Sequence, residues 1–292
     1  LTVTPESFMS DAPITASART PIETAEQAAV PRPSRVRSMV KVGGYLPPVL
    51  LIALLVTAWE LFNTVTGSPD YVLPPLHDIL STAIVKSYDK LIPAAWVTAK
   101  EMLLGFFLGT SVGMFIGILV FYSLTMRRAL MPIVVSSQAI PVIAIAPLFI
   151  IWFGFGITPK VLVAAIIVFF PVTMNFIAGL DSVDRDMVRL MRSLGANEWK
   201  TFWFLRLPQS SPMLLTGIKN AAALSAIGAI VGEWVGSDSG LGPTMIAANA
   251  GFKTDMVFAA IFYLSALALA LFGVVSLIER RLLRWRRATG LK

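Results

Sequence analysis

The sequence predicts an all-α membrane protein with six transmembrane helices. Three observations carry that expectation. Of 292 residues, 56% are apolar and only 14% are charged, with a mean hydropathy of +0.75. A soluble domain carries about 25% charged residues. A bilayer core about 30 Å thick needs about 20 apolar residues as helix. Segments of that kind lie near residues 46–65, 100–122, 130–153, 159–180, 212–235 and 256–279. The alternating strands of about ten residues that a membrane barrel needs are missing, so helices are left to satisfy the backbone in lipid.

Residues 1–42 precede the first span and are rich in Pro, Ser, Thr, Ala and Glu without hydrophobic periodicity. Such a stretch cannot bury enough apolar surface to offset chain entropy, and it reads as a disordered cytoplasmic tail. The membrane domain is expected over 43–285, followed by a basic cytoplasmic tail at 286–292. Glu60 in the first span reads as a packing or interface residue. Between the first two spans, about 66–99, LPPLHDIL and KLIPAAWVTAK read as an outer amphipathic helix with proline-set ends. The second span carries Gly105, Gly109, Gly113 and Gly117. That spacing makes a smooth groove where a neighbouring backbone can approach closely, within the bundle or at a dimer seam. The segment 236–255 is polar, rich in glycine and small residues, and reads as a short outer re-entrant or gate element.

Lysine and arginine set the direction. With the N-terminus inside, nineteen of them fall in inner segments and five, Lys86, Lys90, Lys100, Lys160 and Lys253, in outer ones. This asymmetry explains the net charge of +7 without nucleic acid. The five outer lysines are matched in number by Asp70, Asp78, Asp89, Asp238 and Asp255, so no positive funnel is expected. The chain has no cysteine and one histidine, His77, which leaves little for a metal or triad site. No G-x-x-x-x-G-K-[ST] loop is present, so the chain is not expected to bind ATP. No catalytic residues, cofactor or metal ligands are expected.

The longest inner loop, 181–208, is charged yet rich in large apolar residues. Its front half, 184–194, places Met187, Leu190, Met191 and Leu194 on one stripe and Arg185, Arg189 and Arg192 on another. Gly195 can turn the chain in a left-handed conformation. A second short helix, about 197–206, presents Trp199, Phe202 and Trp203, and Pro208 is expected to end it. Such a knob suits docking onto a partner. A helix lying on lipid headgroups is the alternative.

The spacing from Gly195 to Leu205 and to Leu207-Pro208 resembles the cytoplasmic loop of ABC-importer permeases, which reads E-A-A, three residues, G, nine residues, I, one residue, L-P. The E-A-A positions fall on Arg189, Leu190 and Met191 and do not match. The stretches VLPPLHDIL, IAPLFIIWFGFGITPKV and GEWVGSDSGLG are similar to the nitrate, sulfonate, taurine and pyrimidine branch, and the likeness covers roughly 45–285.

This resemblance implies a type I ABC-importer permease fold with a cytoplasmic coupling helix, in the bacterial inner membrane with both termini cytoplasmic. It implies ATPase subunits as partners, a soluble solute-binding protein outside and a second permease copy. The coupling residues would be Arg189, Leu190, Met191, Arg192, Ser193, Leu194, Gly195, Ala196, Trp199, Trp203, Leu205, Leu207 and Pro208. Where the family often has Glu, Arg189 would need another partner.

Polar residues inside spans are candidate pathway groups: Gln138 and Pro141 in the third, Asn175 in the fourth, Asn220, Ser225 and Glu233 in the fifth. The solute implied is a small organic molecule or anion, with wording closer to pyrimidine, thiamine-precursor or riboflavin-like permeases than to sulfonate ones. Two rivals stand beside this reading. A self-sufficient secondary transporter would show buried ionisable groups at mid-membrane and broken helices in matching repeats, neither evident in the sequence. A non-transporting assembly subunit would be indifferent to changes in the 181–208 loop.

Overall fold

A computed structural model describes residues 46–67, 69 and 71–283. The expected tails at 1–42 and 286–292 lie outside the described residues. Two units divide the chain, 1–55 and 56–292. The described part of the first is Leu46–Leu55, the start of helix α1 (Leu46–Thr66), with its leucines exposed.

Among the described residues, the second unit holds the end of α1 and ten further helices. They are α2 (Leu76–Val85), α3 (Ile92–Tyr122), α4 (Leu124–Ser136), α5 (Val142–Phe153), α6 (Ile157–Asp181), α7 (Arg185–Ser193), α8 (Glu198–Thr201), α9 (Leu207–Gly236), α10 (Leu241–Ala250) and α11 (Thr254–Leu282). Short π-helical turns at Ser87–Leu91 and Phe202–Arg206 lead into α3 and α9. No strand occurs among the described residues. Among the described residues, five helices are long and apolar enough to cross a bilayer: α1, α3, α6, α9 and α11.

The expected third span, 130–153, is helical but broken. It divides into α4 and α5 at Ser137–Pro141. Pro141 has no N–H to continue the hydrogen-bond ladder, and its ring disfavours helical backbone at Ile140. The outer segment also differs in extent. Only Leu76–Val85 forms a separate helix, and the second span begins at Ile92, earlier than residue 100.

Helix α6 forms the centre of the bundle, and glycines decide how closely its neighbours approach. The four glycines of α3 all face α6, so the groove serves packing within the subunit and not a seam between copies. A methyl at Gly109 would sit 2.6 Å from the Ala165 carbonyl oxygen, and one at Gly113 would sit 2.8 Å from that of Phe169. From the other side α9 does the same. A methyl at Gly217 would lie 2.8 Å from the Pro171 carbonyl, and one at Gly228 would lie 2.5 Å from Ala164 Cα. Ala164, fully buried, is thus gripped between Gly105 and Gly228. In lipid, where apolar side chains gain little by leaving the solvent, this contact between helices supplies association. Thr173 adds a hydrogen bond from its hydroxyl to the Gly113 carbonyl, 3.2 Å. Val168, Val172, Phe176 and Leu180 on α6 and Ala221, Ala222 and Ala226 on α9 complete the core.

Two helices at the end opposite the 181–208 loop are capped from the spans. Glu60 Oε2 accepts from Leu76 N at the start of α2, 3.1 Å, while Trp59 Nε1 donates to Pro74 O, 3.2 Å. Glu60 therefore holds a helix end, in keeping with a packing role.

Gly109→Ala and Gly228→Ala should each lower stability by about 1–3 kcal/mol by overpacking. Gly273→Ala, where no atom lies within 4 Å, should stay within about 0.5 kcal/mol of the parent. Unfolding of the purified subunit in mild detergent measures all three, and equal midpoints would contradict the close-approach account.

Candidate functional site

The 181–208 loop is built as a stiff double helix end. Asp184 caps α7 by accepting from Asp186 N at 2.8 Å, and Asn197 caps α8 by accepting from Lys200 N at 2.8 Å. Between them Gly195 takes φ +80°. Gly195 N donates to Arg192 O and Ala196 N to Met191 O, both at 3.0 Å. This pair of bonds closes α7 and requires the left-handed backbone that glycine tolerates. Arg192 then reaches across the turn to Glu198, 2.6 Å. Val183, Val188 and Leu205 pack together inside the loop, with Met191 against them. Leu205 is therefore a structural anchor.

The outward face carries the large apolar groups. Met187, Leu190, Leu194, Trp199 and Trp203 are exposed, as expected, and so is Phe204 at 76%, whereas Phe202, expected to be presented beside the indoles, is buried in the core. Phe204 was not singled out in the sequence, because a phenylalanine between Trp203 and Leu205 shows no preferred face until the π-turn sets one. Arg189 finds Asp186 three residues back, 2.9 Å, with both side chains exposed, a pairing of little energetic weight. Ser193 turns its hydroxyl onto the Leu190 carbonyl, 2.8 Å, and Ala196 is half-buried.

Pro208 does not end the second helix. The chain runs from Glu198 through the π-turn into α9 as one continuous helical stretch to Gly236. Leu207 N donates to Phe202 O, five residues back. This wider turn accommodates the ring of Pro208, which would otherwise crowd the preceding carbonyls. The loop is thereby joined to a core helix without a flexible hinge. Tyr122 meets Phe202 edge-on at 5.9 Å, and the Arg206 guanidinium lies 4.7 Å from the Phe121 ring centre. Arg127 forks onto Asp181 with bonds of 2.8 and 3.3 Å. That carboxylate holds the guanidinium even more firmly in its charged form than usual. Under the indoles an apolar cavity of about 390 Å³ is lined by Met114, Ile118, Phe176, Trp199, Phe202 and Trp203.

The six pathway candidates are not gathered in one place. Gln138 and Pro141 are exposed at the break in the third span, and Asn220 is exposed on α9. Asn175 donates to Pro171 O at 2.8 Å, and buried Ser225 donates to Ala222 O at 2.8 Å. Both are satisfied within their own helices. Glu233 is buried at 1% exposure. Its Oε1 accepts from Thr98 Oγ1 at 2.6 Å, and its Oε2 accepts from Gly242 N at 2.6 Å. Thr98 Oγ1 in turn accepts from Leu241 N, 2.9 Å. The first two amides of α10 are thus held by residues of α3 and α9.

Beside this contact lies a buried ion pair that sequence reasoning missed. Lys160 Nζ donates to Glu101 Oε1 at 2.8 Å and to Ser237 Oγ at 2.6 Å. Lys160 is the single charge in its expected span, and Glu101, beside Lys100, is the single acid in its own, and that was the available signal. Lys160, counted among the outer cations, is fully engaged in the bundle. The remaining outer charges are also distributed unevenly. Lys86, Lys90 and Lys253 line a cavity of about 650 Å³ in which Asp238 is the acidic lining residue, while Asp255 approaches Lys86 at 3.8 Å. The numerical balance along the sequence does not hold in space.

Comparison with known proteins agrees with this architecture. Residues 109–284 match the family described as "Binding-protein-dependent transport system inner membrane component". The formylaminopyrimidine transport permease protein ThiX of Halalkalibacterium halodurans is 36% identical over 83% of this chain and 96% of its own length. The riboflavin transport system permease protein RibX of Chloroflexus aurantiacus is 36% identical over 82% and 89%. The taurine transport system permease protein TauC of Escherichia coli is 29% identical over 80% and 87%. The fold is similar to that of the inward-facing MetNI methionine ABC transporter, with a TM-score of 0.59 at 18% identity over 66% of this chain and 96% of that one. An amino acid ABC transporter matches with a TM-score of 0.55 at 23% identity, over 70% and 98%.

Lys160→Met leaves Glu101 buried without its cation and should cost about 3–5 kcal/mol. Glu101→Leu combined with Lys160→Met should recover most of that loss. Detergent unfolding of the single and double variants checks both.

Proposed function

The chain belongs to the family of binding-protein-dependent transport system inner membrane components, and from that premise we propose how it is driven. It is the permease subunit of an ABC importer. The 181–208 loop is its coupling element, and ATP is hydrolysed on separate ATPase subunits.

One observation carries this reading. Loop helices braced from within by Val183, Val188 and Leu205 turn Leu190, Leu194, Trp199, Trp203 and Phe204 outward. A soluble groove on a partner would cover such a face. The absence of a hinge at Pro208 favours force transmission, because a push on the indoles reaches α9 through continuous helix. The alternative of headgroup contact is less favoured, since Asp184, Asp186 and Glu198 share the loop surface with the arginines.

A second copy of the subunit would complete the pathway. Gln138, Pro141 and Asn220 are exposed on the single subunit, which suits groups that face a shared passage. Asn175, Ser225 and Glu233 act mainly inside the bundle. The excess of lysine and arginine on one side favours both termini and the loop in the bacterial cytoplasm. The cavity with Lys86, Lys90 and Lys253 would then face outward, toward a solute-binding protein. The solute is a small organic molecule of the pyrimidine, thiamine-precursor or riboflavin kind, or a sulfonate- or nitrate-like anion. Relatives named for a formylaminopyrimidine and riboflavin share more identity with the chain than the taurine permease does.

Gly195→Pro combined with Trp203→Asp should abolish co-purification with the ATPase and solute uptake by the reconstituted complex. A variant that still assembles with its ATPase and transports normally would remove the coupling role.

A further inference from the structure

At the end of the bundle opposite the loop, two carboxylates and one ammonium meet. Glu101 and Glu233 are each 1% exposed, and Lys160 is 6% exposed. Lys160 neutralises one of the two acids through Glu101 Oε1, 2.8 Å. Both oxygens of Glu233 are occupied, by the Thr98 hydroxyl and the Gly242 amide. Glu101 Oε2 is buried and has no donor. Thr98 and Glu101 lie three residues apart on one face of α3, so the Glu233 carboxylate that accepts from Thr98 is brought beside Glu101.

An ionised carboxylate only accepts. Two of them in contact away from water repel, and a proton shared between them removes the repulsion. That proton would give Glu101 Oε2 the partner it lacks. It would also bring the three-membered cluster from a net charge of −1 to zero, the condition for stable burial.

We propose that the Glu101–Glu233 pair is a proton-binding site, holding one proton shared between Glu101 Oε2 and the Glu233 carboxyl, which locks α10 onto α3, α6 and α9. Lys160 from α6 is the charged group bonded to the pair, through Glu101. Asp238, on the connection into α10, is exposed and lines the cavity beside it. The chain is shaped around this contact. A side chain at Gly240 would overlap the Glu233 carboxylate, and one at Gly242 would come within 2.9 Å of Glu233 Oε2. Removing the proton sets two like charges against each other and drives Glu233 away from the Gly242 amide, so α10 is released. The site stands on its own contacts, whatever the chain carries.

Infrared spectroscopy of the purified full-length subunit in mild detergent reads the proton directly. The parent protein and a Glu60→Gln control should both show the carbonyl stretch of a buried protonated carboxyl. Glu101→Gln and Glu233→Gln should each lose it, since an amide donor then replaces the proton. Amide hydrogen exchange gives the second readout. As pH rises, Leu241 and Gly242 should lose protection in the parent but keep it in Glu101→Gln at the same pH. A parent spectrum with no such band, a band that survives in both Gln variants, or equal exchange in parent and Glu101→Gln would each overturn the proposal.

Discussion

Close approach of three backbones is the constraint on which this molecule depends. Helix α6 can sit between α3 and α9 only because glycine occupies the contact positions on both neighbours. In water such small contact residues would lose hydrophobic burial. In lipid that term is nearly absent, and proximity of main chains supplies dispersion and hydrogen bonding instead. The Thr173 hydroxyl reaching the Gly113 carbonyl is one outcome of this proximity. Another is Lys160, whose Cα lies against the Gly232 position, so that its side chain extends onto Glu101.

From that centre the two ends of the bundle diverge in character. At the loop end, the contacts that hold shape are small and local: two side-chain caps, one left-handed glycine and a three-residue apolar anchor. They leave a broad apolar face unspent. At the opposite end the contacts are long-range and polar. Glu60 and Glu233, each from a spanning helix, accept amides at the start of the short helices α2 and α10. A carboxylate there also meets the positive end of the helix dipole. The same device is used twice, once half-exposed and once fully buried, and the buried instance requires its charge to be balanced by neighbours.

The continuous helix from Glu198 to Gly236 links these ends. Its first turns carry the exposed indoles and its last turn carries Glu233. The exposed indoles and the residue that secures α10 thus share one helical element. The π-turn at Phe202–Arg206 is what makes the element continuous, since an ordinary α-turn would place the Pro208 ring against a carbonyl.

Composition and apolar run length determined the membrane class and where the helical spans lie, because lipid leaves so few ways to satisfy a backbone. Local rules were equally legible. The glycine turn at Gly195, the helix on each side of it and the outward indoles follow from residues only a few positions apart. Tertiary structure alone decided which partner the α3 glycines face. It also decided that Glu233 is buried and bonded to Thr98 and Gly242. These outcomes depend on groups that lie far apart along the chain, up to 143 positions for Leu241 and Thr98. No spacing or periodicity within a short window carries information about which distant side chain will supply a buried charge with its partner.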